Sequence, residues 1–113
     1  MTINNPIYTT NAVTIASGQT TSGSIDLQGS GLVAMIMPAA FTGTAVTFQI
    51  SPDDVTYYDL YNTNNTQLSA SITQGRAYLF VPGDFVGVRY LKVKSNASEG
   101  GSRIITLLSR VLA

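Results

Sequence analysis

Few residues in this chain could do chemistry. Six carboxylates are present, and Asp53, Asp54 and Asp59 stand close together. Two facing carboxylates could cleave a glycosidic bond, and a cluster of them could hold calcium. Calcium takes about six to eight oxygens, usually from a loop with alternating ligands, and this spacing has no such loop. Ser51-Pro52-Asp53-Asp54 reads instead as a tight turn, with Pro at its favoured second position and Asp bonding neighbouring backbone. With no His and no Cys, the chain has no imidazole base, no thiolate nucleophile, no disulfide and no zinc site of the usual nitrogen or sulfur kind. No enzymatic activity, metal or cofactor is expected.

Over residues 48–90 the aromatic set is Tyr57, Tyr58, Tyr61, Tyr78, Tyr90, Phe48, Phe80 and Phe85. Tyr57 and Tyr58 are adjacent on an expected strand and so face opposite sides, one inward and one towards the surface. An outward Tyr can anchor an interface or stack on a sugar ring. The basic residues Arg76, Arg89, Lys92, Lys94, Arg103 and Arg110 are spread without a run. That distribution suits a solvated face or ion pairs between subunits better than phosphate binding.

These groups must be positioned by strands. The 113 residues suit a single domain that buries roughly two thirds of its extended surface. Charged residues make up 11% and balance to zero, against roughly 25% in typical soluble domains. Neither nucleic acid nor a membrane surface is an expected partner. A neutral, hydroxyl-rich surface has little repulsion to keep copies apart, so self-association is expected. The first residues lack the basic region and apolar run of a secretory signal. The longest apolar stretch, residues 32–41, is interrupted by Pro38 and is about half of a membrane span. The chain therefore reads as soluble and made without a cleaved leader.

Val, Ile, Thr, Tyr and Phe recur in short runs broken by Gly, Pro, Asn and Ser, with no sustained helical period. Strands are expected over 12–15, 24–27, 32–37, 45–50, 55–61, 67–72, 77–81, 88–94 and 103–112. The hairpin across 45–61 is the clearest, with Val46, Phe48 and Ile50 pointing one way. Pro82-Gly83 fits the centre of a type II turn, and the alternation over 88–94 slips once near Tyr90. Residues 1–10 read as an extended arm, because Pro6 forbids regular pairing there and apolar anchors are few. The fold class is all-β: a single β-sandwich or jelly-roll-like domain over 11–113 behind that arm.

Val46-Thr47-Phe48-Gln49-Ile50-Ser51-Pro52-Asp53-Asp54-Val55-Thr56-Tyr57-Tyr58-Asp59-Leu60 resembles a hairpin of the form strand, Ser-x-Asp-Gly turn, x-x-Trp/Tyr, strand. Phe85-Val86-Gly87-Val88-Arg89-Tyr90-Leu91-Lys92-Val93 resembles the Phe-x-Gly-x-Arg-Tyr-Ile/Leu-Lys strand that tends to follow it. In this order and at this length, the two look like the small β-rich structural proteins of tailed bacteriophage virions: head decoration (cement) proteins, or small neck and tail components. The same two elements occur in discoidin-like jelly-roll modules that bind sugars or lipid head groups. Asp54 stands where Gly is usual, and Tyr57 replaces the commoner Trp.

What the phage resemblance implies is a non-enzymatic protein of the virion, present in many copies and often trimeric on a head lattice. Its implied partners are its own copies and the major capsid protein or another virion subunit. The expected contact surface combines the arm, through Ile3, Pro6, Ile7 and Tyr8, the apolar strand at Met35 and Met37, and the outward tyrosines Tyr58 and Tyr61. The alternative reading is a carbohydrate-binding module, with Tyr58 or Tyr61 and the loop 62–66 as its platform.

Overall fold

A computed structural model of the chain describes residues 8–81, 84, 85 and 87–111. Among them are nine strands and no helix: β1 (Tyr8–Ile15), β2 (Ile25–Asp26), β3 (Ser30–Ile36), β4 (Ala45–Ser51), β5 (Tyr58–Asp59), β6 (Ser69–Ser71), β7 (Ala77–Leu79), β8 (Tyr90–Ser95) and β9 (Arg103–Val111). They form two antiparallel sheets packed as a β-sandwich. The first is ordered β1-β9-β3-β7; the second is ordered β2-β8-β4-β5, with β6 also on β4.

The pairings are nested. β1 pairs with β9, β2 with β8, β3 with β7, and β4 with β5 and β6. That is one long antiparallel ribbon turned back on itself around β4–β6, then rolled so that β9 meets β3 and β8 meets β4. It is the strand order of a jelly roll.

Alternation places the core between the sheets. Val13 and Ile15 of β1, Met35 of β3, Val46 and Phe48 of β4, Leu91 and Val93 of β8, and Ile105 and Leu107 of β9 are all buried. Phe48, Phe80 and Phe85 pack edge to face, with ring centroids 4.8–5.6 Å apart, a geometry that suits the ring quadrupoles. The slip near Tyr90 is present: Val88 and Leu91 are both buried, and Tyr90 between them is only half-buried.

Two expectations change. β1 begins at Tyr8, so Tyr8–Thr10, read as the end of the arm, are strand, opposite Arg110, Ser109 and Leu108. The length of β9 supplies partners that the composition of the arm did not announce. Residues 1–7, with Ile3, Pro6 and Ile7, lie outside the described residues, as do the Pro82-Gly83 turn and the side chain of Tyr8. The return strand of the 45–61 hairpin shrinks to Tyr58–Asp59, because Asp53 captures the amides of Val55 and Thr56 for the turn, at 3.0 and 3.1 Å.

Candidate functional site

The outer face of the first sheet is nearly free of charge. Since Met35, Ile105, Leu107 and Val13 point inward, their neighbours point out. One row across the face reads Ala12, Thr106, Ile36, Ala77, and the next reads Thr10, Leu108, Ala34, Leu79. Thr14 and Ile104 stand at one end, and Arg110 is one rung beyond the other. Leu79 is 88% exposed, Val81 66%, Ile104 57% and Ile36 41%. β1, an edge strand of eight residues, has no charged side chain and no Pro. Beyond its ladder with β9, the one bond found for it among the described residues runs from the Gly23 amide to the Thr14 carbonyl. Natural sheets usually blunt such edges with Lys, Pro or a bulge.

This geometry corrects two of the expected contact residues. Met35 and Met37 are 0% and 2% exposed and belong to the core. The strand is apolar on both faces, as its sequence suggests, but alternation aims both methionines inward and leaves Ile36 exposed on the outside, with Ala34 on the same side but buried. Tyr58 and Tyr61 are 60% and 48% exposed. They lie far along the chain from the first sheet's strands and belong to a separate feature.

That feature is a groove of about 680 Å³ beside β4 and β5. Its apolar wall includes Tyr58, Tyr61, Ile50 and Val88, and Asp59, Asp84 and Arg89 bring charge to it. The loop 62–66, expected as the partner of the tyrosines, does not line it; the segment just before β8 does. Of the six acidic side chains, only the Asp84 carboxylate has no hydrogen-bond or ion-pair partner among the described residues; the Asp84 amide donates to the Val81 carbonyl. Asp26 meets Arg89 at 3.5 Å, Asp59 accepts from Gln49 at 3.1 Å, and Asp54 accepts from Tyr57.

The Ser51–Thr56 turn uses its carboxylates internally. The Asp53 carboxylate accepts from the Val55 and Thr56 amides and from the Ser51 hydroxyl, and these bonds hold it below the ordinary aspartate range. Asp54 takes φ of 61°, so the left-handed geometry that Gly usually provides here is kept by a residue type that tolerates it. No group of three possible metal ligands converges among the described residues.

Sequence reasoning gave no role to Glu99, whose side chain is fully buried. Its Oε1 accepts from the Thr42 amide at 2.8 Å and Arg103 Nε at 3.1 Å; its Oε2 accepts from the Gly43 amide and the Ser95 hydroxyl, both at 3.1 Å. Its backbone bonds Gly18 and Gln19. Burial pushes the carboxyl up, but the four donors together outweigh it and hold Glu99 below the usual glutamate value. With about four acceptor positions filled by four donors, Glu99 has nothing left for a substrate proton. It is a clasp joining three loops at one end of the sandwich. A Cβ on Gly43 would collide with the Ser95 hydroxyl and with Phe41, so the close approach that completes this clasp requires glycine.

The outer face of the second sheet is charged. Lys92 and Lys94 stand opposite Gln49 and Thr47, Lys92 Nζ lies 4.3 Å from the centre of the Tyr57 ring, and Arg89 lies 5.0 Å from that of Tyr90. Comparison of the chain with protein-family models, curated proteins and solved structures finds no match.

Proposed function

We propose that the chain is a non-enzymatic structural protein of a bacteriophage virion, a capsid decoration subunit that self-associates, as a trimer, and bridges neighbouring shell subunits. The observation that carries this reading is the uncharged outer face of the first sheet, continued by the uncharged edge of β1. A face of Ala, Thr, Ile and Leu offers no ion to desolvate on contact, and exposed apolar area of this kind is what interfaces bury. The zero net charge removes long-range repulsion between copies. Modest single contacts repeated over a lattice add up to strong avidity. The resemblance of the 46–60 and 85–93 segments to phage structural proteins supplies the virion context; a neck or tail location uses the same surface. The jelly-roll order serves viral shells and sugar-binding domains alike, so the fold alone does not choose between them.

Light scattering on the purified chain tests the reading. A trimer, or a concentration-dependent rise in mass, is expected, and a monomer at all concentrations would contradict it. The arm has its own test. Deleting residues 1–7 is expected to keep the melting temperature and weaken binding to the particle, whereas deleting 1–10 also removes three rungs of the β1–β9 ladder. Unchanged binding after the shorter deletion would discard the role of the arm.

A further inference from the structure

We infer that the groove holding Tyr58, Tyr61 and Asp84 is a binding site for a neutral sugar chain, separate from the docking face. Its volume of about 680 Å³ lies within the range of about 300–1,000 Å³ seen for small-ligand sites. Its composition is amphipathic in the way such sites are: apolar walls with a few polar groups that fix orientation.

Three observations narrow the ligand. The two tyrosines that line the groove are the exposed ones among those whose side chains are described. Their hydroxyls bond no described residue, while Tyr57 donates to Asp54 and the Tyr78 hydroxyl accepts from the Thr73 amide. They therefore offer both a flat face and an uncommitted polar tip. The Asp84 carboxylate is the one left without a described partner, and Asp84 lines the same groove. Finally, the groove's two carboxylates, Asp59 and Asp84, outnumber its one guanidinium, Arg89, which Asp26 also approaches at 3.5 Å, so the groove is net negative.

An anion would meet Asp84 and Asp59 at close quarters. A purely apolar segment would strip water from Asp84 without replacing its hydrogen bonds, which is costly. A chain of sugar rings satisfies both demands, since its C–H faces lie on the tyrosine rings while its hydroxyls donate to Asp84 and exchange bonds with the phenols.

The test uses the full chain, titrated with maltohexaose, cellohexaose, chitohexaose and mannohexaose and followed by amide chemical shifts. At least one of the four is expected to shift the resonances of Ser51, Tyr58–Tyr61, Asp84 and Val88–Arg89 while leaving β1 and β9 unmoved. Added NaCl is expected to leave the affinity unchanged. Tyr58→Ala and Tyr61→Ala are each expected to weaken binding about tenfold or more, as exposed aromatic anchors do. Leu79→Glu, on the other face, should leave it intact. Should an alanine variant fail to fold, Tyr58→Phe with Asp84→Asn removes only polar tips and is still expected to weaken binding. No shift with any of the four sugars, or sugar binding that survives the double alanine variant, overturns the assignment. So does salt-sensitive binding of spermine alone, which would make the groove a cation site.

Discussion

The two outer faces of this sandwich are built on the same antiparallel ladder, yet they carry different chemistry. On the second sheet, Lys92 covers the Tyr57 ring, Gln49 reaches Asp59 and Arg89 meets Asp26. Those side chains are satisfied within one molecule or by water. On the first sheet, the rows through Ile36 and Leu79 hold only Ala, Thr, Ile and Leu; Ala34 in them is buried and Thr106 and Leu108 half-buried, while Ile36 and Leu79 stay exposed. A charged face is content in solvent; an uncharged one gains by being covered. Within one small fold, this difference is what the proposed association of the first sheet's face rests on.

Adjacent positions on β3 sharpen the contrast most. Met35→Ala opens a cavity in the core and is expected to cost about 2–5 kcal/mol of stability. Ile36→Ala, one residue on and facing out, is expected to change the melting temperature of the isolated chain little while weakening association. Equal losses of stability at the two positions, read from denaturant unfolding, would mean that the assignment of inner and outer side chains is wrong.

Glu99 comes next in size. Its folded-state pKa is depressed. Its contribution is therefore fully present above the ordinary glutamate value of 4.5, and it is lost as the pH falls through the lower folded-state value. Glu99→Gln is expected to destabilise the chain at neutral pH by about 3 kcal/mol, the scale for breaking a buried pair, and to flatten the acid limb of a stability-against-pH curve. An acid limb of the same steepness in the variant would assign it to other carboxylates. Both outer faces are expected to be unaffected, because the clasp lies at the end of the sandwich. The smallest effect belongs to the charged face: Lys92→Ala removes the contact with Tyr57 and is expected to cost about 0.5–1 kcal/mol, with no change in oligomeric state.

Much of this architecture was legible in the residues. Val46, Phe48 and Ile50 announced an inward stripe by alternation alone, and the interior place of β9 followed from its apolar run. The turn at Ser51–Asp54 was readable from Pro52 and the aspartates, whereas the shortness of its return strand was not. Turn bonds to Asp53 compete with ladder bonds there, and sequence spacing does not weigh one against the other. The uncharged outer face was half legible. Low charge pointed to association, but Met35 and Met37 drew attention to the wrong side of β3, since a strand apolar on both faces gives no sign of which face turns inward. Pairing with β9 and β7 settles that, and such long-range register is invisible locally. Glu99 and Asp84 were missed for the same reason. The partners of one lie up to 57 residues away, and the other stands out because its carboxylate has no partner among the described residues.

The most direct test places charge on each face in turn and measures mass by sedimentation equilibrium over a range of concentrations. The wild-type chain is expected to associate. Leu79→Glu with Ile104→Glu should shift the association constant by about a hundredfold or more towards monomer, since each carboxylate would be taken out of water unpaired. Thr47→Glu with Gln49→Glu, on the face that already carries charge, should leave association as it was. Association that survives the first pair of substitutions and fails with the second would contradict the account.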